Sequence, residues 1–389
     1  MKNPVSKIRL RALLCLIALA WGVPATASAP QQTAHGQPAD AAVHVETGTL
    51  DGAPFRIDMP VHWNGTLIVY YHGYSETPVA FDKARPNAMG SGFTKRGFAV
   101  IQSGYSVTGW AVEQAMSETE TLRRYFIAHY GQPRESYVTG HSMGGMLTLA
   151  TIESYPSRYN GALALCGLLE PATWAIEHGG AMLAAFDYYY PGLIPGPEHI
   201  PTNVNLDQAL AHHVQAHLHD NPTGYAEIKA LGHFKTDEDM AGVLVFLAYI
   251  ERDLEQKIGA PTINNANLLY FGGPDDNALN AGVERYTASN AALDYLKTWY
   301  TPTGVLDRPL LALHTSYDPV IPPDTVSQYA DLAQRMGSSH FFVQQFVKAD
   351  GHCNISREQT LTAMDELLAW VHSGRRPTAG LLPTTSKPQ

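Results

Sequence analysis

Gly140-His141-Ser142-Met143-Gly144-Gly145 stands between a short β-favouring run, residues 136–139, and an apolar helical pattern, residues 144–155, which Pro156 closes. A serine at a sharp strand-to-helix turn, flanked by glycines, is the local pattern of a nucleophile elbow. Gly140 and Gly144 lack the β-carbon that would clash in such a turn, so Ser142 is expected at the top of a sheet with a helix N-terminus beneath it. Gly-x-Ser-x-Gly also arises by chance, so the reading depends on what lies on either side of it.

Upstream, residues 43–50 and 53–59 read as two strands joined at Asp51-Gly52, a hairpin-turn dipeptide. Thr66-Leu67-Ile68-Val69-Tyr70-Tyr71 is apolar on both faces, as a buried parallel strand requires, and residues 98–102 repeat the pattern. Ser117-Glu118-Thr119-Glu120 has the form of a capping box, so a helix is expected to begin there and to present Leu122, Phe126 and Tyr130. Downstream, residues 162–168, 309–314 and 341–347 are further strands, with helices over 325–336 and 357–371. Strands alternating with helices predict an α/β fold: a mostly parallel, doubly wound sheet. One crossover, residues 170–305, is far too long for a single helix, so a largely helical cap is expected between two late strands. It holds helical patterns over 206–218 and 237–258 and many aromatic residues.

A serine hydroxyl needs a general base, and the base needs an orienting carboxylate. Asp318 follows the strand at 310–314, and His352 follows the next strand in Ala349-Asp350-Gly351-His352-Cys353. Ser142, Asp318 and His352 therefore come in chain order on loops at the carboxyl ends of successive strands. Glu170 competes with Asp318 for the acid's place, with Asp324 and Asp350 as further neighbours; His72 and His141 are weaker candidates for the base. An oxyanion hole needs two backbone N–H donors, and His72-Gly73-Tyr74 with the residue after the serine assigns them to Tyr74 and Met143.

These motifs together resemble the α/β-hydrolase superfamily, in its esterase, lipase and prolyl-oligopeptidase-like group, over residues 43–170 and 305–372. The resemblance implies an α/β-hydrolase fold, domain 43–372, cleaving a carboxylic ester through an acyl-serine with no cofactor. A serine peptidase is the alternative, for which a cap carboxylate such as Glu227, Asp237, Glu238 or Asp239 would hold a substrate amine. A non-catalytic binding protein on the same scaffold is a third reading. The Ser-Met-Gly-Gly-Met string is also similar to that of homoserine O-acetyltransferases, but an exported protein is a poor fit to a biosynthetic acyltransferase.

Export is read from the N-terminus: Lys2, Lys7, Arg9 and Arg11 precede an apolar run ending in Ala25-Thr26-Ala27-Ser28-Ala29, the form of a secretory signal peptide and too short for a spanning helix. Cleavage after Ala29 would leave Pro30 first, so residues 1–27 are the expected signal and the protein is expected to be secreted or periplasmic, with no stable membrane anchor. Removal takes four positive and no negative charges from a formal −10, leaving −14. So acidic a chain without a basic run excludes a nucleic-acid partner; the expected partner is a small-molecule ester or peptide substrate, and nothing fixes the oligomeric state. Cys15 leaves with the signal. Cys166 and Cys353 then both flank the proposed site, and a bridge between them and a pair of buried thiols stay open. His213 and His217 have helical metal-ligand spacing, but nothing nearby completes a ligand set, so no metal is expected. Residues 373–389, rich in Pro and Thr, are expected to form a flexible tail.

Overall fold

The computed structural model describes residues 43–383 except Ala88 and Glu198. Residues 1–42, which include the expected signal segment, and residues 384–389 lie outside the described residues. Nine described strands form one sheet in the order β1-β2-β4-β3-β5-β6-β7-β8-β9. They are β1 (Val43–Leu50), β2 (Ala53–Pro60), β3 (Thr66–Tyr71), β4 (Ala99–Ser103), β5 (Glu135–His141), β6 (Gly161–Leu165), β7 (Leu310–Tyr317), β8 (Phe342–Asp350) and β9 (Gly380–Leu381). β1 and β2 form an antiparallel hairpin, and Asp51 and Gly52 turn it with φ of 49° and 89°. β2 also runs antiparallel to β4; every pairing beyond that is parallel.

Helices cover both faces because successive strand residues are apolar in both directions. Leu67, Val69 and Tyr71 of β3 pack into one cluster with α2 (Val112–Tyr130), α3 (Met143–Ser154) and α10 (Pro323–Arg335). Ile68 and Tyr70 pack into the opposite cluster with Phe93 of α1 (Gly90–Thr94) and with Ala363, Met364 and Leu367 of α11 (Arg357–Ser373). All of these β3 residues are buried, and each such side chain contributes about 1.5–3 kcal/mol relative to exposure.

Two expectations fail. α2 begins at Val112, ahead of Ser117, and its first residue follows Ala111 with no side-chain cap. Val112 and Ala115 are fully buried, so packing draws the helix upstream, while Ser117 Oγ donates to Glu113 O and Gln114 O within it. The tail is also not free: Gly380 and Leu381 pair as β9 with Gln345 and Phe346, Gln345 Nε2 donates to Thr378 O at 2.9 Å, and Arg376 Nη2 donates to Phe342 O at 2.6 Å. The open edge of β8 offers donors and acceptors that a composition-based reading of the tail does not see.

Between β6 and β7 run α4 (Ala172–Tyr189), α5 (Gln208–His217), α6 (Pro222–Leu231), α7 (Asp237–Ile258), α8 (Asp276–Gly282) and α9 (Asn290–Thr298). α4 to α8 build a separate apolar cluster that includes Phe186, Leu218, Ile228, Leu244 and Leu279. Asp207, Asn221, Thr236 and Ser289 cap α5, α6, α7 and α9 by accepting first-turn N–H bonds. No helix among the described residues is long and apolar enough to cross a membrane.

Candidate active site

Ser142 links β5 to α3 with φ 58° and ψ −123°, a left-handed conformation that costs a non-glycine residue on the order of 1–3 kcal/mol. Crowding, not φ, explains the flanking glycines. A β-carbon at Gly144 would stand 2.2 Å from Tyr71 O, and one at Gly140 would stand 2.4 Å from Gly144 O. Strand and helix therefore cross closely enough to hold the serine in its strained turn. Gly145 and Met146 N–H groups both donate to Ser142 O, and Ser142 N–H donates to Leu165 O at 3.0 Å, tying the turn to the end of β6.

Ser142 Oγ and His352 Nε2 are 2.8 Å apart, and His352 Nδ1 is 2.7 Å from Asp318 Oδ2. The sheet brings the last two together. β7 and β8 pair until Tyr317 faces Asp350, with an irregularity between Thr315 and Tyr317, and Gly351 N–H donates to Tyr317 O. Asp318 and His352 thus leave adjacent strand ends on neighbouring loops. Asp318 is buried, and its other oxygen, Oδ1, accepts from the Val320 and Ile321 N–H groups. Burial pushes its carboxyl up, but the His352 hydrogen bond and charge, helped by the Ile321 N–H and His314, outweigh that and hold it below the usual aspartate range.

Tyr74 and Met143 both line a 90 Å³ cavity with Ser142 and Trp110. A β-carbon at Gly73 would lie 3.2 Å from Ser142 Cβ, so the 72–74 loop abuts the serine. Met143 opens α3, where the first N–H groups have no acceptor inside the helix. Cys166 and Cys353 form a disulfide with a Cα separation of 5.2 Å, joining the end of β6 to the residue beside His352.

A family model described as alpha/beta hydrolase fold matches residues 67–354. The chain belongs to that family. An o-phthalyl amidase of Xanthobacter agilis is 23% identical over 86% of this chain and 88% of its own length. Among solved structures, feruloyl esterase B from Aspergillus oryzae has 14% identity and a TM-score of 0.48, covering 85% of this chain and 80% of its own. A Pyrococcus horikoshii acylaminoacyl peptidase has 10% identity and a TM-score of 0.44, covering 86% of this chain and 42% of its own. Hydrolysis is the chemistry that the family supports.

In this α/β hydrolase the rival candidates lie elsewhere. His72 stacks on Tyr105 with ring centroids 3.8 Å apart and donates from Nδ1 to Gly73 O at 2.7 Å. His141 meets Tyr70 Oη at 3.4 Å; burial, then the nearby His352 charge, pushes it down to about 4, so it stays neutral. Glu170 is not bonded to His352 and lines a second, 450 Å³ cavity. The carboxylates considered for a substrate amine are also occupied or remote. Glu227 accepts from Asp275 N–H, Asp237 from His219 and Tyr225, and Asp239 from Tyr317; Glu238 is exposed, and none of the four lines either cavity. His217 Nδ1 donates to His213 O, and among the described residues no group of three metal-ligating side chains comes together.

Sequence reasoning missed two residues at the site. Asp253 of α7 accepts Tyr74 Oη–H at 3.0 Å and Trp110 N–H at 2.7 Å, fastening the loops on either side of the 90 Å³ cavity to that helix. His314, buried in β7, sits with Nε2 3.8 Å from Asp318 Oδ2. Neither stands in a recognisable local motif.

Proposed function

We propose that this chain is a serine hydrolase that cleaves a carboxylic ester through an acyl-serine intermediate. The observation that carries the reading is the unbroken relay from Ser142 Oγ through His352 to Asp318, at 2.8 and 2.7 Å. His352 takes the Ser142 proton as Oγ attacks the carbonyl carbon, and Asp318 holds the ring in the tautomer that leaves Nε2 free to accept. The oxygen that gains charge is held by the Tyr74 and Met143 N–H groups. His352 then returns the proton to the leaving alkoxide. Water, deprotonated by the same nitrogen, splits the acyl-enzyme and restores Ser142. The helical segment 170–305 acts as a cap over the site, and the N-terminal segment directs export.

Amide cleavage is the second reading, favoured by the similarity to an o-phthalyl amidase along most of both chains. The same residues serve it, with His352 protonating a leaving nitrogen. Turnover of p-nitrophenyl butyrate and of an acyl p-nitroanilide by wild type and Ser142→Ala tests both. Ser142→Ala is expected to lower kcat by about 10³-fold or more on whichever substrate the wild type cleaves. A variant within tenfold of wild type on that substrate contradicts the reading.

A further inference from the structure

The 450 Å³ cavity and the cavity over Ser142 share a wall made by Leu168, Ala175, Gly179, Leu247, Val320 and Ile321. The larger one therefore lies beside the proposed nucleophile, in the size range of small-molecule sites. Its lining is mostly apolar, including Met182, Phe234 and Val243, with Leu269 and Phe271 exposed to solvent. It contains no lysine or arginine.

One lining group is chemically unfinished. Glu170 is 4% exposed, and its fully enclosed Oε2 has no hydrogen-bond partner among the described residues. Leaving a buried carboxylate unpaired is costly, and no part of the relay needs this one, because Asp318 already holds His352. The other titratable lining groups are His178 of α4, His233 just after α6, Asp324 of α10 and Tyr270. Glu251 of α7 borders the Ser142 cavity, but its Oε2 already accepts Thr262 Oγ1–H at 2.6 Å. Burial, then the charge of Asp324, pushes the Glu170 carboxyl up to about 7. An anionic ligand would add to this negative charge and meet no lysine or arginine. A cation would be attracted by both acids and would supply the missing donors.

We propose that the larger cavity is a substrate-binding chamber for a molecule that joins a protonated amine to an aryl or alkyl group, with the amine donating to Glu170. The inference rests on the hydrolase reading for its biological meaning, since the amine-bearing part would extend from the bond cut at Ser142. It goes beyond that reading by naming the chemistry of the substrate.

Binding without turnover tests it. Calorimetry at about pH 8 compares phenylbutylamine, which stays protonated there, with phenylbutanol and phenylbutanoate on the full-length protein and on Glu170→Gln. Wild type is expected to bind the amine at least about tenfold tighter than the alcohol, and the carboxylate most weakly. In Glu170→Gln the amine-to-alcohol ratio is expected to fall to about one, read within the variant so that any general loss of affinity cancels. Equal affinities in wild type, tightest binding of the carboxylate, no measurable amine binding, or a ratio that survives in Glu170→Gln would each overturn the proposal. The wild-type comparison decides even if the variant does not fold. A failure of the hydrolase reading appears separately, as absent ester and anilide turnover.

Discussion

Ser142 and Glu251 are both held in states that an isolated residue would avoid. Ser142 is held by crowding between Tyr71 and Gly144; Glu251, buried at 4% exposure, is held by packing that excludes water from its carboxyl. Burial pushes Glu251 up to about 8, only partly opposed by the Thr262 hydroxyl. The folded state thus keeps a proton that the unfolded chain releases near the ordinary value of 4.5, so between those limits the folded protein binds more protons. Stability from this group is present below the lower value and is lost as pH rises through the higher one. Thermal melting across that window should show Glu251→Gln losing less stability with rising pH than wild type does. Parallel melting-temperature curves would contradict this. At this scale the sequence was legible where chemistry sits in a short pattern: Ser142 between its glycines, Asp318 and His352 just past strands. Glu170 shares that place after a strand, but its enclosure carries no local signal, and neither Glu251 nor Asp253 stands in a short pattern, because what distinguishes each is enclosure or a contact made by residues far away in the chain. Tyr74 and Asp253, for example, are 179 positions apart.

Among elements, the period of the apolar residues decided most of the outcome. β1 and β3 match their expected limits, β3 because its continuous burial and β1 because the Asp51-Gly52 turn after it need no distant information to be read. The start of α2 was misread because the capping-box residues fall inside a helix that tertiary packing extends, and β9 was missed because its pairing depends on an open strand edge. The Cys166–Cys353 disulfide is an element-scale device: it spans 187 positions and fixes the loop carrying His352 to the end of β6, where Ser142 N–H is also bound. Cys353→Ser should lower unfolding free energy by about 2–4 kcal/mol in urea titration and also reduce kcat, because the His352 loop gains freedom. An unchanged urea midpoint would show that the bridge constrains nothing.

Across the whole molecule, the sheet delivers three loops to one end while the residues between β6 and β7 build a second apolar core beside it. The length of that crossover made an insertion legible from sequence, but not which side chains line the cavities, since helices α4 and α7 contribute Ala175, Gly179 and Leu247, which carry no chemical signature. The proposed chemistry depends on Ser142 being the group that attacks substrate. The direct measurement is intact mass and peptide mapping after treatment with a fluorophosphonate, which a histidine-activated serine takes up covalently. One adduct is expected, on the peptide containing Ser142, with ester or amide turnover lost in proportion to labelling. Turnover that persists in the fully labelled protein, or an adduct on a different residue with Ser142 unmodified, would contradict it.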